Sequence, residues 1–195
     1  YLTTYYGQLA YQEIKSNQDF VLNDSNKISK KFEQQFSKNT LIKSIKLLKE
    51  LNKTKYSKDI IKHLASLNVD QGSELLAGKL SISIGRYDYA IQIAKQASYQ
   101  KRFYNEINYP IISVPNVVNK KRLPDPELIL AVIRQESEFD SKANSFVGAK
   151  GMMQLMTYTA RIVAKKAKLH YSKKRLRTDP KYNIKLGSYY LAELL

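Results

Sequence analysis

Apolar residues recurring every three to four positions constrain this chain more than any other feature. Leu41, Ile42, Ile45 and Leu48 fall on one face of a helix, and Ile60, Ile61, Leu64 and Leu67 repeat the pattern. Asp70-Gln71-Gly72 punctuates before Leu75, Leu76, Leu80 and Ile84, and Gly85-Arg86 separates that helix from Tyr87, Ala90, Ile91, Ile93 and Ala94. The expected fold class is all-α, or mainly α, beginning with stacked helical hairpins. Successive segments share no fixed repeat signature, so the stack is not assigned to a named repeat. Asn105 to Arg122, marked by Pro110, Pro115 and Pro124 and carrying Tyr109 with Tyr104 at its edge, reads as an irregular linker. The expected division is a hairpin array with linker over residues 1–122 and a second helical domain over residues 123–195.

A helix is expected to open the second domain. Asp125 suits an N-cap, Pro126 the first helical position, and Glu127 the positive end of the helix dipole. Leu128, Ile129, Leu130, Val132 and Ile133 form its apolar surface, and Ile129, Ile133 and Glu136 follow one another at i, i+4 and i+7. Glu136 is therefore expected to point as the core points, partly desolvated and near the negative helix end. Such a carboxyl should have a raised pKa, which suits a proton donor near neutral pH. Glu138 and Asp140 lack that placement. A bland alternative is that Glu136 pairs with Arg134, Lys150 or another cation.

Composition narrows the chemistry. The 195 residues include no cysteine, which excludes disulfides and thiolate metal sites, and the isolated His63 and His170 form no ligand cluster. No metal or cofactor is expected. No apolar run of about 18 residues exists, so no transmembrane helix is expected, and Tyr1 in place of methionine, with no signal sequence, reads as a trimmed or mature fragment. The net charge of +16 is compatible with nucleic acid, an anionic membrane or an anionic wall polymer. Its 33 basic residues comprise 26 Lys and 7 Arg without a nucleic-acid motif, so specific nucleic-acid binding is not expected. The densest cluster is Lys165, Lys166, Lys168, Lys173, Lys174, Arg175 and Arg177, which straddles a helix end and a loop and is suited to phosphate or carboxylates. Of the 15 tyrosines, Tyr5, Tyr6, Tyr11, Tyr87 and Tyr89 sit at helical spacing and are core or interface candidates.

The stretch from Ala131 to Met156 carries a more specific signal. The Glu136-Ser137 pair after the apolar helix is followed by Phe139, Ala143 and Ser145, then Val147-Gly148-Ala149 with Gly151. Next come Met153-Gln154-Leu155-Met156 and Thr159-Ala160 opening a helix, then Asp179-Pro180, Asn183-Ile184, Gly187 and Tyr190-Leu191. This ordered set resembles the catalytic domain of the soluble lytic transglycosylases, goose-lysozyme-like enzymes that cleave the glycan of bacterial peptidoglycan. Tyr5-Tyr6-Gly7-Gln8-Leu9-Ala10 is also similar to the segment where that family's helical superhelix gives way to its linker. The chain departs from the family pattern at Ser141, Met152 and Thr157-Tyr158, where the family has Pro, Leu and Pro-Gly. It also lacks the family's later Ala-Tyr-Asn motif, so the resemblance covers a catalytic domain without its C-terminal end.

The resemblance implies a lysozyme-like α-domain acting on peptidoglycan glycan strands in the periplasm or cell envelope. By that likeness Glu136 protonates the bond between N-acetylmuramic acid and N-acetylglucosamine, then takes a proton as the muramoyl C6 hydroxyl closes a 1,6-anhydro ring. No second carboxylate is required, unlike the two-carboxylate scheme of most glycosidases. Gln154 is expected to hold substrate, with Ser145, Phe146, Val147, Met153 and Met156 shaping the groove and Tyr190 lining it. Ser137 is expected to orient the glutamate or the local backbone. Met152, Met153 and Met156 are equally suited to core packing. The alternatives are an inactive peptidoglycan-binding remnant, a hydrolytic lysozyme on the same scaffold, and a helical adaptor for proteins.

Overall fold

The computed structural model describes residues 5–15, 21–25 and 27–195; Tyr1 and the side chain of Tyr5 lie outside that description. Helix α1 (Tyr5–Ile14) comes first, and residues 21–25 form a segment without helix or strand. That segment is held by backbone bonding, with Ser25 N donating to Phe103 O at 2.7 Å. Helices α2 (Lys30–Ser37) and α3 (Thr40–Glu50) follow, each with a side-chain cap. Ser29 Oγ accepts from Phe32 N at 3.2 Å, and Asn39 Oδ1 accepts from Leu41 N at 2.9 Å. After a 3-10 turn at Thr54–Ser57 come α4 (Lys58–Ser66), a second such turn at Val69–Gln71, α5 (Ser73–Ser83) and α6 (Tyr87–Tyr99). Gly72 closes the second turn at φ +90°, a left-handed conformation that explains the glycine there.

The hairpins α3 to α6 bury Ile45, Ile61, Leu64, Leu75 and Ala90 at 1% exposure or less. Each large aliphatic side chain so placed stabilises the stack by about 1.5–3 kcal/mol, against roughly 0–1 kcal/mol for an exposed ion pair, so packing decides this region. Three residues are less buried than a core position requires, which leaves Tyr6 and Tyr11 their interface alternative. Tyr6 is 79% exposed and no core residue, Leu67 is 46% exposed because α4 ends before it, and Tyr11 is only half-buried. Tyr89 is buried as expected, its ring under the Arg86 guanidinium at 3.8 Å.

The connection read as irregular contains structure. Helix α7 (Asn105–Asn108) buries Ile107 completely, and Tyr104 beside it is 3% exposed. Strands β1 (Val117–Val118) and β2 (Lys121–Arg122) form an antiparallel hairpin, Val117 opposite Arg122. Its two-residue turn, Asn119-Lys120, has positive φ at both positions (46° and 65°), the mirror-image turn that matches strand twist. Two-residue strands leave almost no alternation in sequence, which is why periodicity missed them.

A second core forms from α8 (Pro126–Ser137), the turns over residues 139–155, α9 (Thr157–Lys166), α10 (Arg175–Thr178) and α11 (Pro180–Leu194). Ile129, Ile133, Phe139, Val163, Leu176 and Leu186 are its fully or nearly fully buried members. Ile91 of α6 and Val118 of β1 also belong to it, with Ile112 and Val114 packed against it. Helix α6 is therefore a shared wall, with Ala90, Ile93 and Ala94 on the first core and Ile91 on the second. The Tyr87 and Phe139 rings meet at 6.0 Å, and Lys95 pairs with Glu138, so both ends of α6 grip the second core. No described helix is long and apolar enough to cross a membrane.

Candidate active site at the end of α8

Helix α8 starts at Pro126 as the sequence predicts, although Asp125 caps through its backbone: its carbonyl accepts from Leu128 N and Ile129 N at 3.0 and 3.2 Å. The helix stops because Glu138 and Phe139 take left-handed conformations, φ 51° and 63°. This reversal drives Phe139 into the core at 2% exposure and leaves Glu136 in the last turn.

Glu136 is exposed, which corrects the expectation that it shares the core face with Ile129 and Ile133. The i, i+4, i+7 relation holds along the helix, but the packed wall ends before the last turn, where the chain turns away at Glu138. The pairing alternative also fails. The Arg134 guanidinium donates to Asn108 O at 2.8 Å and Asn108 Oδ1 at 2.6 Å and lies over the Tyr109 ring at 4.8 Å, while Lys150 Nζ donates to Asn144 Oδ1 at 2.6 Å. Among the described residues none forms a hydrogen bond or ion pair with the Glu136 carboxylate. Its carboxylate is available to a ligand.

Beside it, the Ser137 hydroxyl sits 2.8 Å from Met152 O and 3.2 Å from Ile133 O, tying the end of α8 to the turn that follows. That turn is a small bridged unit: Asn144 pairs with Lys150, and Lys150 with Leu155. Gly151 at φ +75° and Gln154 at φ 44° shape it, and Gln154 Nε2 donates to Gly151 O at 2.8 Å. Gly151 is irreplaceable sterically, since a Cβ there would lie 2.3 Å from Asn183 Nδ2 and 2.5 Å from Leu176 O.

The turn is held from behind by α11. Asn183, fully buried, accepts from Met153 N at 2.9 Å and donates through Nδ2 toward Lys150 O at 2.8 Å and Leu176 O at 3.1 Å. Gly187 lets Met153 lie against the same helix, where Ser188 Oγ approaches its sulfur at 3.8 Å. Sequence reasoning quoted Asn183 but gave it no role. The available signal was a short polar side chain, poor in helix interiors, flanked by Tyr182 and Ile184.

The remaining candidates divide by exposure. Phe146 (110%), Val147 (78%) and Met156 (42%) are open to solvent. Ser145 is half-buried and builds its own loop, its Oγ accepting from Ala149 N at 2.9 Å. Gln154 and Tyr190 are half-buried, Tyr190 packed against the second core. Met152 and Met153, at 6% and 7%, lie in the core, and Met153 reaches the site as packing under the turn. Both histidines are exposed, His63 in the last turn of α4 and His170 in the loop after α9. An open hollow of about 630 Å³ between α4 and α6 includes no candidate site residue.

A helical array is thus joined to a compact helical domain in which an exposed carboxylate stands at the end of α8, beside the Ser137 hydroxyl that reaches Met152 O. Residues 114–195 match the family described as Transglycosylase SLT domain. Membrane-bound lytic murein transglycosylase C of Haemophilus influenzae is 28% identical over 142 residues, spanning 63% of this chain and 39% of that protein. The structure of lytic transglycosylase Slt from Pseudomonas aeruginosa, an inactive mutant, superposes at a TM-score of 0.70 with 26% identity. That match covers 97% of this chain and 30% of the other. The 70 kDa soluble lytic transglycosylase of Escherichia coli superposes equally well, TM-score 0.70, at 22% identity over the same shares, a likeness of fold. The chain spans well under half the length of each of these relatives.

Proposed function

We propose that this chain is the glycan-cleaving part of a peptidoglycan lytic transglycosylase acting in the periplasm or cell envelope, with residues 1–122 as helical array and linker and residues 123–195 as catalytic domain. The observation that carries the reading is the free Glu136 carboxyl, fixed at the end of α8 by the Ser137 contact with Met152 O. In the reaction the Glu136 carboxylic acid gives its proton to the oxygen between N-acetylmuramic acid and N-acetylglucosamine. The C1–O bond breaks, the N-acetylglucosamine end leaves as an alcohol, and the muramoyl N-acetyl carbonyl shields C1. The Glu136 carboxylate then takes the proton of the muramoyl C6 hydroxyl, O6 closes on C1, and a 1,6-anhydro ring forms with the acid regenerated. Water is not consumed. One acid serving twice needs no partner carboxylate, unlike the paired scheme of most glycosidases.

Gln154 holds the glycan by hydrogen bonds, its left-handed backbone presenting the side chain at the turn. Phe146, Val147 and Met156 offer exposed apolar surface for sugar faces, Ser145 keeps their loop in shape, and Met153 and Tyr190 support the groove from the core. Ser137 is a positioning residue. The exposure of Glu136 favours a second reading, binding of peptidoglycan without turnover, because an acid donates best from a desolvated site.

The test compares wild type with Glu136→Gln on purified sacculi, reading released muropeptides by mass spectrometry. Anhydromuramoyl ends from wild type alone support the transglycosylase. Reducing muramoyl ends make it a hydrolytic muramidase, and bound sacculi without products from either protein establish the binding reading. Equal cleavage by Glu136→Gln removes Glu136 from the chemistry.

A further inference from the structure

We propose that the basic face around the first turns of α11 docks on a membrane surface of anionic phospholipid headgroups. Residues 165–185 contain nine Lys and Arg against one carboxylate, Asp179, so half of the chain's net charge of +16 lies in this stretch. The sources are the end of α9, the following loop, α10 and the start of α11. Within it His170, Arg175, Lys181 and Lys185 line a hollow of about 390 Å³ whose floor is the buried Tyr182.

The carboxylate in that hollow is already engaged. Asp179 accepts from Tyr182 N at 3.0 Å and from Arg175 Nε and Nη2 at 3.1 and 2.9 Å, so it neutralises Arg175 and caps α11. Lys166 is paired with Glu193. Lys181 and Lys185, four residues apart and so on one face of α11, have no acidic partner among the described residues, and Lys173, Lys174 and Arg177 stand exposed beside them. Seven of the nine cations are lysines, flexible point charges that suit a plane of dispersed phosphates better than the bidentate geometry of base reading.

The helix also sets the direction. Asn183 faces the turn over residues 150–154, since its amide bonds Lys150 O and Met153 N. Lys181 and Lys185 each lie two residues away, about 200° around the helix, and so face away from that turn. A membrane held at the hollow leaves the Glu136 side of the domain free. This inference rests on the charge distribution and does not depend on the proposed reaction.

The test is cosedimentation with phosphatidylglycerol–phosphatidylethanolamine vesicles and with phosphatidylcholine vesicles, at low and high salt. Wild type is compared with Lys173→Gln/Lys174→Gln/Lys181→Gln/Lys185→Gln and with Lys43→Gln/Lys46→Gln/Lys53→Gln/Lys62→Gln, which loses the same charge elsewhere. Wild type should bind only the anionic vesicles and release in salt, with affinity falling roughly tenfold or more in the first variant and less than about threefold in the second. A second measurement needs only wild type: anionic vesicles should slow acylation of Lys181 and Lys185 by an amine-reactive reagent more than that of Lys43 and Lys46, read by mass spectrometry. Equal loss in both variants, no binding to anionic vesicles, uniform protection, or tighter patch-dependent binding to duplex DNA than to vesicles would overturn the proposal.

Discussion

Replacing Asn183 by Leu tests whether one buried amide holds the turn over residues 150–154 on α11. The side chain is fully buried and makes three contacts, Met153 N at 2.9 Å, Lys150 O at 2.8 Å and Leu176 O at 3.1 Å. Leu keeps the branched shape of Asn with bulkier ends, so no cavity opens and the polar groups left behind, with some crowding, decide the outcome. Met153 N–H loses its partner in a dry site, which costs about 1–3 kcal/mol. Lys150 O keeps a bond from Leu155 N at 3.1 Å, so its loss, with that of the Leu176 O contact, adds roughly 0.5–1 kcal/mol each. The sum is about 2–5 kcal/mol, partly offset by the apolar gain of Leu, or about 3 kcal/mol net. For a chain of this size that corresponds to a fall of roughly 6–12 °C in Tm, read by circular dichroism. A Tm within about 2 °C of wild type would refute the claim that this amide ties the turn to the helix.

Four further outcomes can be checked. Gly151→Ala forces a Cβ to 2.3 Å from Asn183 Nδ2 at φ +75° and should cost about 2–4 kcal/mol, with a thermal melt as the readout and an unchanged Tm as the contrary result. Asp179→Ala removes the α11 cap and should cost about 1–2 kcal/mol in urea denaturation. The Tyr182 N–H, with Arg175, holds the Asp179 carboxyl below its ordinary value of 3.8, so its stabilisation is complete above that value and fades as pH falls through the lower folded one. Asp179→Asn should flatten the acid limb of stability. Burial, reinforced by Glu74, pushes the Tyr104 hydroxyl up to about 12 from 10.0. Since the folded state holds this proton more tightly, the contribution is full below pH 10.0 and is lost towards about 12. Ultraviolet titration should show late-titrating tyrosine, burial raising Tyr89 as well, and Tyr104→Phe should remove the Tyr104 part of it.

Much of the fold was legible because helices announce themselves locally. The α3 to α6 hairpins follow apolar spacing interrupted at Gly72 and Gly85, both left-handed in the structure, and α8 and α11 begin at Pro126 and Pro180. The β hairpin was not legible, because its specificity lies in the backbone of Asn119 and Lys120 and not in a run of side chains. At the site, the sequence located Glu136, Ser137 and the turn around Gln154, but misjudged exposure. Periodicity states which residues share a helix face; it does not state where the neighbouring wall stops.

From sequence alone came the mainly helical class, the family likeness, the basic cluster after α9 and the proposal of Glu136 as the acid. Tertiary structure alone decided that Arg134 and Lys150 turn to Asn108 and Asn144, leaving Glu136 without a partner, and that Asn183 clamps the turn from α11. It also made α6 a wall between two cores, with Ile91 on one side and Ala90 on the other. The physical reason is the range of the interactions. Helix propensity, capping and turn chemistry act within about four residues, whereas the Arg134–Asn108, Met153–Asn183 and Lys95–Glu138 contacts join groups 26, 30 and 43 positions apart.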